Sequence, residues 1–176
     1  MKNIFTGFIL IFLDFNLNLG NSQIGLIPDF VGYIIMINGL VEMGRESELF
    51  IKVKPYATGM AIYTGILYLL DLLGISSSLG VLSYVLVLAS MAVSLYISYN
   101  IVMGVIDIER KYSTLFNGSR LKSTWNLLAI FNVLTFVLSL IPAVAIICII
   151  LTFIVTICFL VDFNKSKILY YNNTFS

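Results

Sequence analysis

Residues 123–161 contain no Asp, Glu, Lys or Arg, and residues 79–106 form a second uncharged run. A helix needs about 20 mostly apolar residues to cross the hydrocarbon core of a bilayer. The longer run therefore provides two crossings, with a tight turn at Pro142 between them. Composition agrees: 60% of the 176 residues are hydrophobic and 11% are charged, against about half and about a quarter in a soluble domain. So few polar side chains cannot cover a water-soluble globule. The chain reads as an integral membrane protein. Disorder, a fibrous repeat and a secreted disulfide scaffold are excluded.

Six stretches qualify as spans, at residues 4–19, 26–43, 56–75, 79–106, 123–140 and 143–161. The expected fold is all-α: one transmembrane domain over residues 1–176, a bundle of six helices arranged as three hairpins. The basic residues orient it. With the N-terminus inside, Lys2 is cytoplasmic, Arg45, Lys52 and Lys54 fall in the first inner loop, and Arg110, Lys111, Arg120 and Lys122 fall in the second. Lys165 and Lys167 fall in the C-terminal tail, so all ten Lys and Arg residues are inside. Moving one span in or out destroys this sorting. The expected location is the cytoplasmic membrane, multi-pass, with both termini inside.

The outer links, at residues 20–25, 76–80 and 141–142, are short and uncharged. Residues 44–54 read as a short interfacial helix, with Glu48 and Lys52 at i,i+4. Residues 109–122 read as a polar loop turning at Asn117-Gly118. The first span follows Lys2 but lacks a small-x-small cleavage site, so it is expected to be retained rather than removed as a signal peptide.

The chain has no histidine, which removes His-based triads and His-containing metal sites. Cys148 and Cys158 lie ten residues apart in one apolar run. On one helix that is about 15 Å, too far for a disulfide. Phosphate-binding and catalytic motifs such as the P-loop, GxGxxG, HExxH and GxSxG are missing. No cofactor, metal or enzymatic activity is expected. A net charge of +1, with no basic cluster among aromatics, gives nucleic-acid binding no support.

Three acids stand apart. Glu42, Glu46, Glu48, Asp107, Glu109 and Asp162 lie among the inner basic residues and read as their solvated partners. Asp14, Asp29 and Asp71 lie in the outer half, where no Lys or Arg is present. A central Asp costs about 2.5–3.5 kcal/mol on insertion scales, and an intramembrane acid is a functional hypothesis by default. Asp14 reads either in that way or as an acid satisfied inside the bundle. Asp14 and Asn18 share one face if the first span is a continuous helix. Asp29 follows Pro28 and reads as a helix start. Asp71 lies near the outer end of its span. If Asp14, Asn18, Asp29 and Asp71 converge, their oxygens suit a proton, a hard cation or a small solute.

Small and polar residues recur at helical spacing: Gly32, Met36, Gly39 and Met43 on the second span, Asn132 and Thr135 on the fifth, and Cys148, Thr152 and Thr156 on the sixth. Such seams pack helices against each other in lipid, and can also line a cavity.

The stretch Phe15-Asn16-Leu17-Asn18-Leu19-Gly20, followed by Ile27-Pro28-Asp29-Phe30-Val31-Gly32-Tyr33, resembles a group of small uncharacterised multi-pass membrane proteins of low-GC gram-positive bacteria. The resemblance covers about the first 55 residues and implies that the outer mouth of the first hairpin defines the group. In size and span count the chain is also similar to the substrate-binding subunits of energy-coupling-factor vitamin transporters. Those carry Ala-x-x-x-Ala in the first span for docking a partner; here Ala57 and Ala61 have that spacing in the third. Three functions compete. The first is a non-enzymatic membrane subunit or regulator acting through a membrane protein partner or a second copy. The second is a small carrier or solute-binding subunit using the outer Asp/Asn cluster. The third, least favoured, is an intramembrane enzyme using Asp14 with Asp29 or Asp71 as an acid–base pair. A water-filled cavity reaching Asp14 favours the carrier. A dry bundle with an exposed small-residue groove favours the subunit.

Overall fold

The computed structural model describes residues 1–12, 16–19, 22–25, 28–73, 81–138 and 141–174. They form helices and one short β-hairpin, in two compact units, Met1–Ile97 and Ser98–Ser176.

The first unit runs α1 (Lys2–Phe12), β1 (Asn16–Leu19), β2 (Ser22–Gly25), α2 (Asp29–Met43), α3 (Glu48–Leu72) and residues 81–97 of α4 (Val81–Tyr112). α1 packs on α2, α2 packs on α3, and β2 lies against α3. The α1–α2 contact is built on glycine. A Cβ on Gly7 would stand 2.8 Å from the Gly32 carbonyl oxygen, and one on Gly39 would stand 2.6 Å from the Ile4 nitrogen. Without side chains at these points the two backbones meet directly and gain dispersion contact. Ile4, Phe8, Tyr33, Met36, Leu40 and Met43 fill the rest of the seam and are buried. The expected Gly32–Met36–Gly39–Met43 seam is therefore a packing face.

The first expected span, at residues 4–19, is corrected. α1 ends at Phe12, and Asn16–Leu19 is a strand paired antiparallel with Ser22–Gly25, Asn18 opposite Gln23. Polar and apolar residues alternate here with period two, the strand period rather than the helix period. The separate interfacial helix at residues 44–54 is also corrected. α3 starts at Glu48, with the Ser47 hydroxyl accepting from the Leu49 amide at 3.4 Å, and passes through Pro55. Buried Phe50, Val53, Ala57 and Met60 form one stripe across the proline. Packing along that stripe outweighs the amide hydrogen bond that Pro55 cannot make.

The second unit comprises residues 98–112 of α4, α5 (Gly118–Leu138) and α6 (Pro142–Thr174). α5 packs on α6. Thr135 and Thr152 share a hydrogen bond of 2.8 Å across that contact, and the Thr152 hydroxyl also reaches the Phe131 carbonyl at 3.3 Å. α6 continues beyond the expected end of its span to Thr174, because Phe159, Phe163, Ser166 and Tyr170 extend a buried stripe.

Three helical segments, Tyr84–Tyr112, Gly118–Leu138 and Val144–Thr174, are long and apolar enough to cross a membrane. Six such helices are not present among the described residues. α1 has 11 residues and α2 has 15, about 16 Å and 22 Å. The outward faces are apolar: Leu127, Ile130 and Val137 on α5, and Ile146, Ile150, Phe153 and Ile154 on α6, are exposed. A water-soluble protein rarely carries apolar surface of this extent, whereas lipid covers it without cost.

Candidate functional site

Three of the four residues of the expected outer cluster lie among the described residues. Asp14 lies outside the described residues. Asn18 sits on β1, so the helical face it was expected to share with Asp14 does not exist; the chain there is extended. Asp29 opens α2 after Pro28, the helix start that the sequence indicated. Asp71 lies in the last turn of α3. Because β2 adjoins α3, the hairpin that pairs Asn18 with Gln23 lies beside the helix that carries Asp71. No group of three or more His, Cys, Asp or Glu suited to a metal occurs among the described residues.

A groove lies between α3 and α4 in the first unit. Its volume is about 580 Å³ and it is open along one side. α3 supplies Pro55, Tyr56, Gly59, Met60 and Tyr63, and α4 supplies the facing wall from Leu86 to Val93. The α3 residues recur at i, i+4 and i+7, the spacing of one helix face. Tyr56 also meets Tyr96 of α4, ring edge to ring face, with centroids 4.9 Å apart. Gly59 leaves the floor open: nothing stands within 4 Å of the place a Cβ would occupy. The Ser90 hydroxyl on the facing wall donates to the Val87 carbonyl at 2.9 Å, so this polar group is satisfied within its own helix. Tyr33 of α2 is buried and hydrogen-bonds Ser94, which ties α2 to α4. The groove is an apolar cleft with tyrosine at its rim, suited to an apolar occupant and not to polar chemistry.

In the second unit the α4–α5 turn is held from several sides. Ser113 follows α4 with φ 50, and Asn117 precedes α5 with φ 67. Both are left-handed, which asparagine tolerates better than most residues. The Glu109 carboxylate accepts from the Phe116 amide at 2.7 Å and from the Gly118 amide at 3.4 Å. A carboxylate at a helix N-terminus also meets the positive end of its dipole. Phe116 is buried between Tyr112 and Tyr170, with centroid distances of 6.4 and 6.0 Å. Arg120 Nε pairs with Asp162 Oδ1 at 3.1 Å; the Asp162 side chain is 6% exposed and that of Arg120 70%. Asn117 Nδ2 reaches the Asp162 carbonyl at 3.5 Å. At the tip of this fixed turn Leu115 is 83% exposed.

Glu109 and Asp162 are thus not merely solvated partners of basic residues. Glu109 caps a helix, and Asp162 is a buried anchor. The signal for Asp162 was the run Phe159, Phe163, Ser166 and Tyr170, which continues a helical stripe past the last apolar residue of the span. Glu109 carries no comparable local signal, because its partners lie across a turn. Trp125 is held within the second unit as well: its indole N–H donates to the Ser98 hydroxyl at 2.9 Å, and its ring lies 4.9 Å from that of Tyr99.

Comparison of the chain with protein-family models, with curated proteins and with solved structures gave no match.

Proposed function

We propose that the chain is a non-enzymatic multi-pass membrane protein, a small subunit or regulator that acts through a protein partner at its inner face. The observation that carries this reading is the clamped α4–α5 turn. Three sets of contacts, from Glu109, Arg120–Asp162 and Phe116, are spent on fixing a turn whose tip presents a bare leucine. Binding residues are disproportionately found on loops held by a rigid scaffold. An apolar side chain presented in this way suits a contact better than a reaction.

The topology proposed is the six-crossing one, because it keeps all ten Lys and Arg residues on one side, and adding or removing any single crossing would split them. In it α1 covers about 16 Å and β1 about 13 Å, together close to the roughly 30 Å of the hydrocarbon core. Non-helical backbone at membrane depth needs protein around it. The pairing of β1 with β2 and the seat of β2 on α3 supply that cover.

The test is gentle extraction from the native membrane followed by native mass spectrometry of wild type and Leu115→Asp. Leu115 is exposed, so the variant keeps its fold. The expected result is a reproducible protein companion that is lost in the variant. A companion retained by Leu115→Asp, or a chain with none, overturns the reading. The carrier reading has one observation in its favour, the placement of the hairpin beside the helix bearing Asp71. Full solute or cation uptake by Asp14→Asn removes it.

A further inference from the structure

We propose that the α3–α4 groove holds one acyl chain of an anionic phospholipid, with the phosphate at Lys52. The proposal rests on the placement of α3 and α4 in the bilayer, and it is independent of the partner at the α4–α5 turn.

Size argues for a chain rather than a helix. A helix with its side chains is about 10 Å across and rises 5.4 Å per turn, so a single turn fills roughly 420 Å³. The 580 Å³ of the groove admits little more than one turn of a crossing helix. A methylene takes up nearly the room of a water molecule, about 30 Å³ in the liquid. By volume the groove therefore has room for about sixteen to twenty methylene groups, within the roughly 300–1,000 Å³ range of pockets that take small ligands.

Chemistry agrees with size. The lining offers methyl, methylene and ring surface, and the Ser90 hydroxyl is already bonded within α4. An acyl chain asks for no polar partner. Charge then selects the headgroup. The α3 face of the groove runs Tyr56, Gly59, Met60, Tyr63 toward the outer side, and one turn in the other direction on the same face stands Lys52. Lys52 and the neighbouring Lys54 are both exposed. Lysines just inside a span attract anionic headgroups. Tyr56, about half exposed, stands on this face between the apolar groove and Lys52, the position in which tyrosine suits a bilayer interface.

The test uses the full chain reconstituted in nanodiscs of equal phosphatidylglycerol and phosphatidylcholine, then released into detergent for native mass spectrometry. Wild type is expected to retain one phosphatidylglycerol per chain and to prefer it over phosphatidylcholine at least fivefold. Gly59→Leu fills the groove floor, where nothing blocks a side chain, and is expected to lower retained lipid at least tenfold. Lys52→Ala is expected to keep a lipid but lose the headgroup preference. Retention by Gly59→Leu equal to wild type, or no retention by wild type, overturns the proposal. So does photo-crosslinking from position 89, on the facing wall, to a polypeptide instead of a lipid. Failure of the bilayer placement itself would show separately, as a chain that does not enter nanodiscs.

Discussion

The α1–α2 contact makes the sharpest prediction, because glycine geometry there converts into a free-energy difference. Consider Gly39→Ala on α2 and, as its control, Gly65→Ala on α3. Both put a methyl group inside a helix, and both gain the same helix propensity, about 0.8–1.0 kcal/mol. Their surroundings differ. A Cβ at Gly65 meets Phe30 at 3.8 Å, an ordinary contact, whereas at Gly39 it meets the Ile4 nitrogen at 2.6 Å and Ile4 Cγ1 at 2.7 Å. Moving the first of these out to 3.4 Å requires α1 and α2 to part by about 0.8 Å, since 3.4 less 2.6 is 0.8. A gap of that size forfeits about a quarter to a half of the dispersion well of each contact across the seam. Overpacking of this kind costs about 1–3 kcal/mol. Because the propensity gain cancels, that cost is the expected difference between the two variants. In a chain of this length 1 kcal/mol corresponds to roughly 2–4 °C in Tm, so Gly39→Ala should melt roughly 2–12 °C below Gly65→Ala. Circular dichroism of the purified protein in detergent reads this directly. If Gly39→Ala melts as high as Gly65→Ala, α1 does not pack on α2 through its glycines.

Three further outcomes follow from the second unit. Glu109→Ala strips the acceptor from the Phe116 and Gly118 amides and should cost about 1–3 kcal/mol; limited proteolysis should show faster cleavage at residues 113–117. Arg120→Ala leaves the buried Asp162 carboxylate without its guanidinium, while Asp162→Asn in the same chain removes the charge that needed it. The double variant should therefore be more stable than Arg120→Ala alone, by about 1 kcal/mol given the solvent around Arg120; a double variant that melts lower would show that Asp162 does not depend on Arg120 to be tolerated in its buried place. Thr135→Val should weaken the α5–α6 contact by about 0.6–1.7 kcal/mol, and unchanged detergent unfolding would rule that hydrogen bond out as a support. For topology, a cysteine at Leu115 should react with an impermeant maleimide only from the inner side, and one at Ile141 only from the outer side.

The helices of the C-terminal half were legible because their signal is long. Uncharged runs of twenty or more residues have few alternatives to a helix, and Pro142 fixes where one ends. The glycine seam was legible for a similar reason: Gly32, Met36, Gly39 and Met43 repeat with helical spacing, and glycine has no other frequent use at such positions in lipid. The first hairpin was misread because hydropathy was weighed before period. Leu17, Leu19 and Ile24 raise the apolar average enough to extend a span, yet Asn16-Leu17-Asn18-Leu19 alternates strictly. Gly20-Asn21, between two such stretches, is a two-residue turn pattern. In the other direction, residues 44–54 and 56–75 read as separate elements, a division that the stripe Phe50, Val53, Ala57 and Met60 overrides.

Charge sorting hid the rest of the candidate site. Every inner acid had a basic neighbour in sequence, so each could be read as a surface counter-ion, and the sequence offers no way to count how many are buried. Asp162 decides the matter in three dimensions. It follows the last residue of an uncharged run, which makes it the natural place for a helix to leave the membrane and stop. Instead α6 goes on for another twelve residues to Thr174. A helix that merely emerged into water would have no reason to keep Phe163, Ser166 and Tyr170 buried at i+1, i+4 and i+8 from Asp162. The α4–α5 turn folds onto this extension, Phe116 against Tyr170 and Asn117 and Arg120 against Asp162. The extension and the turn therefore stabilise each other. Truncation after Val161 should remove the anchors of the turn without touching the span, so the truncated chain should insert normally. Residues 113–117 should then be cut as fast as in Glu109→Ala. Insertion with the turn still protected would mean that Glu109 alone holds it, and that the α6 extension serves something else.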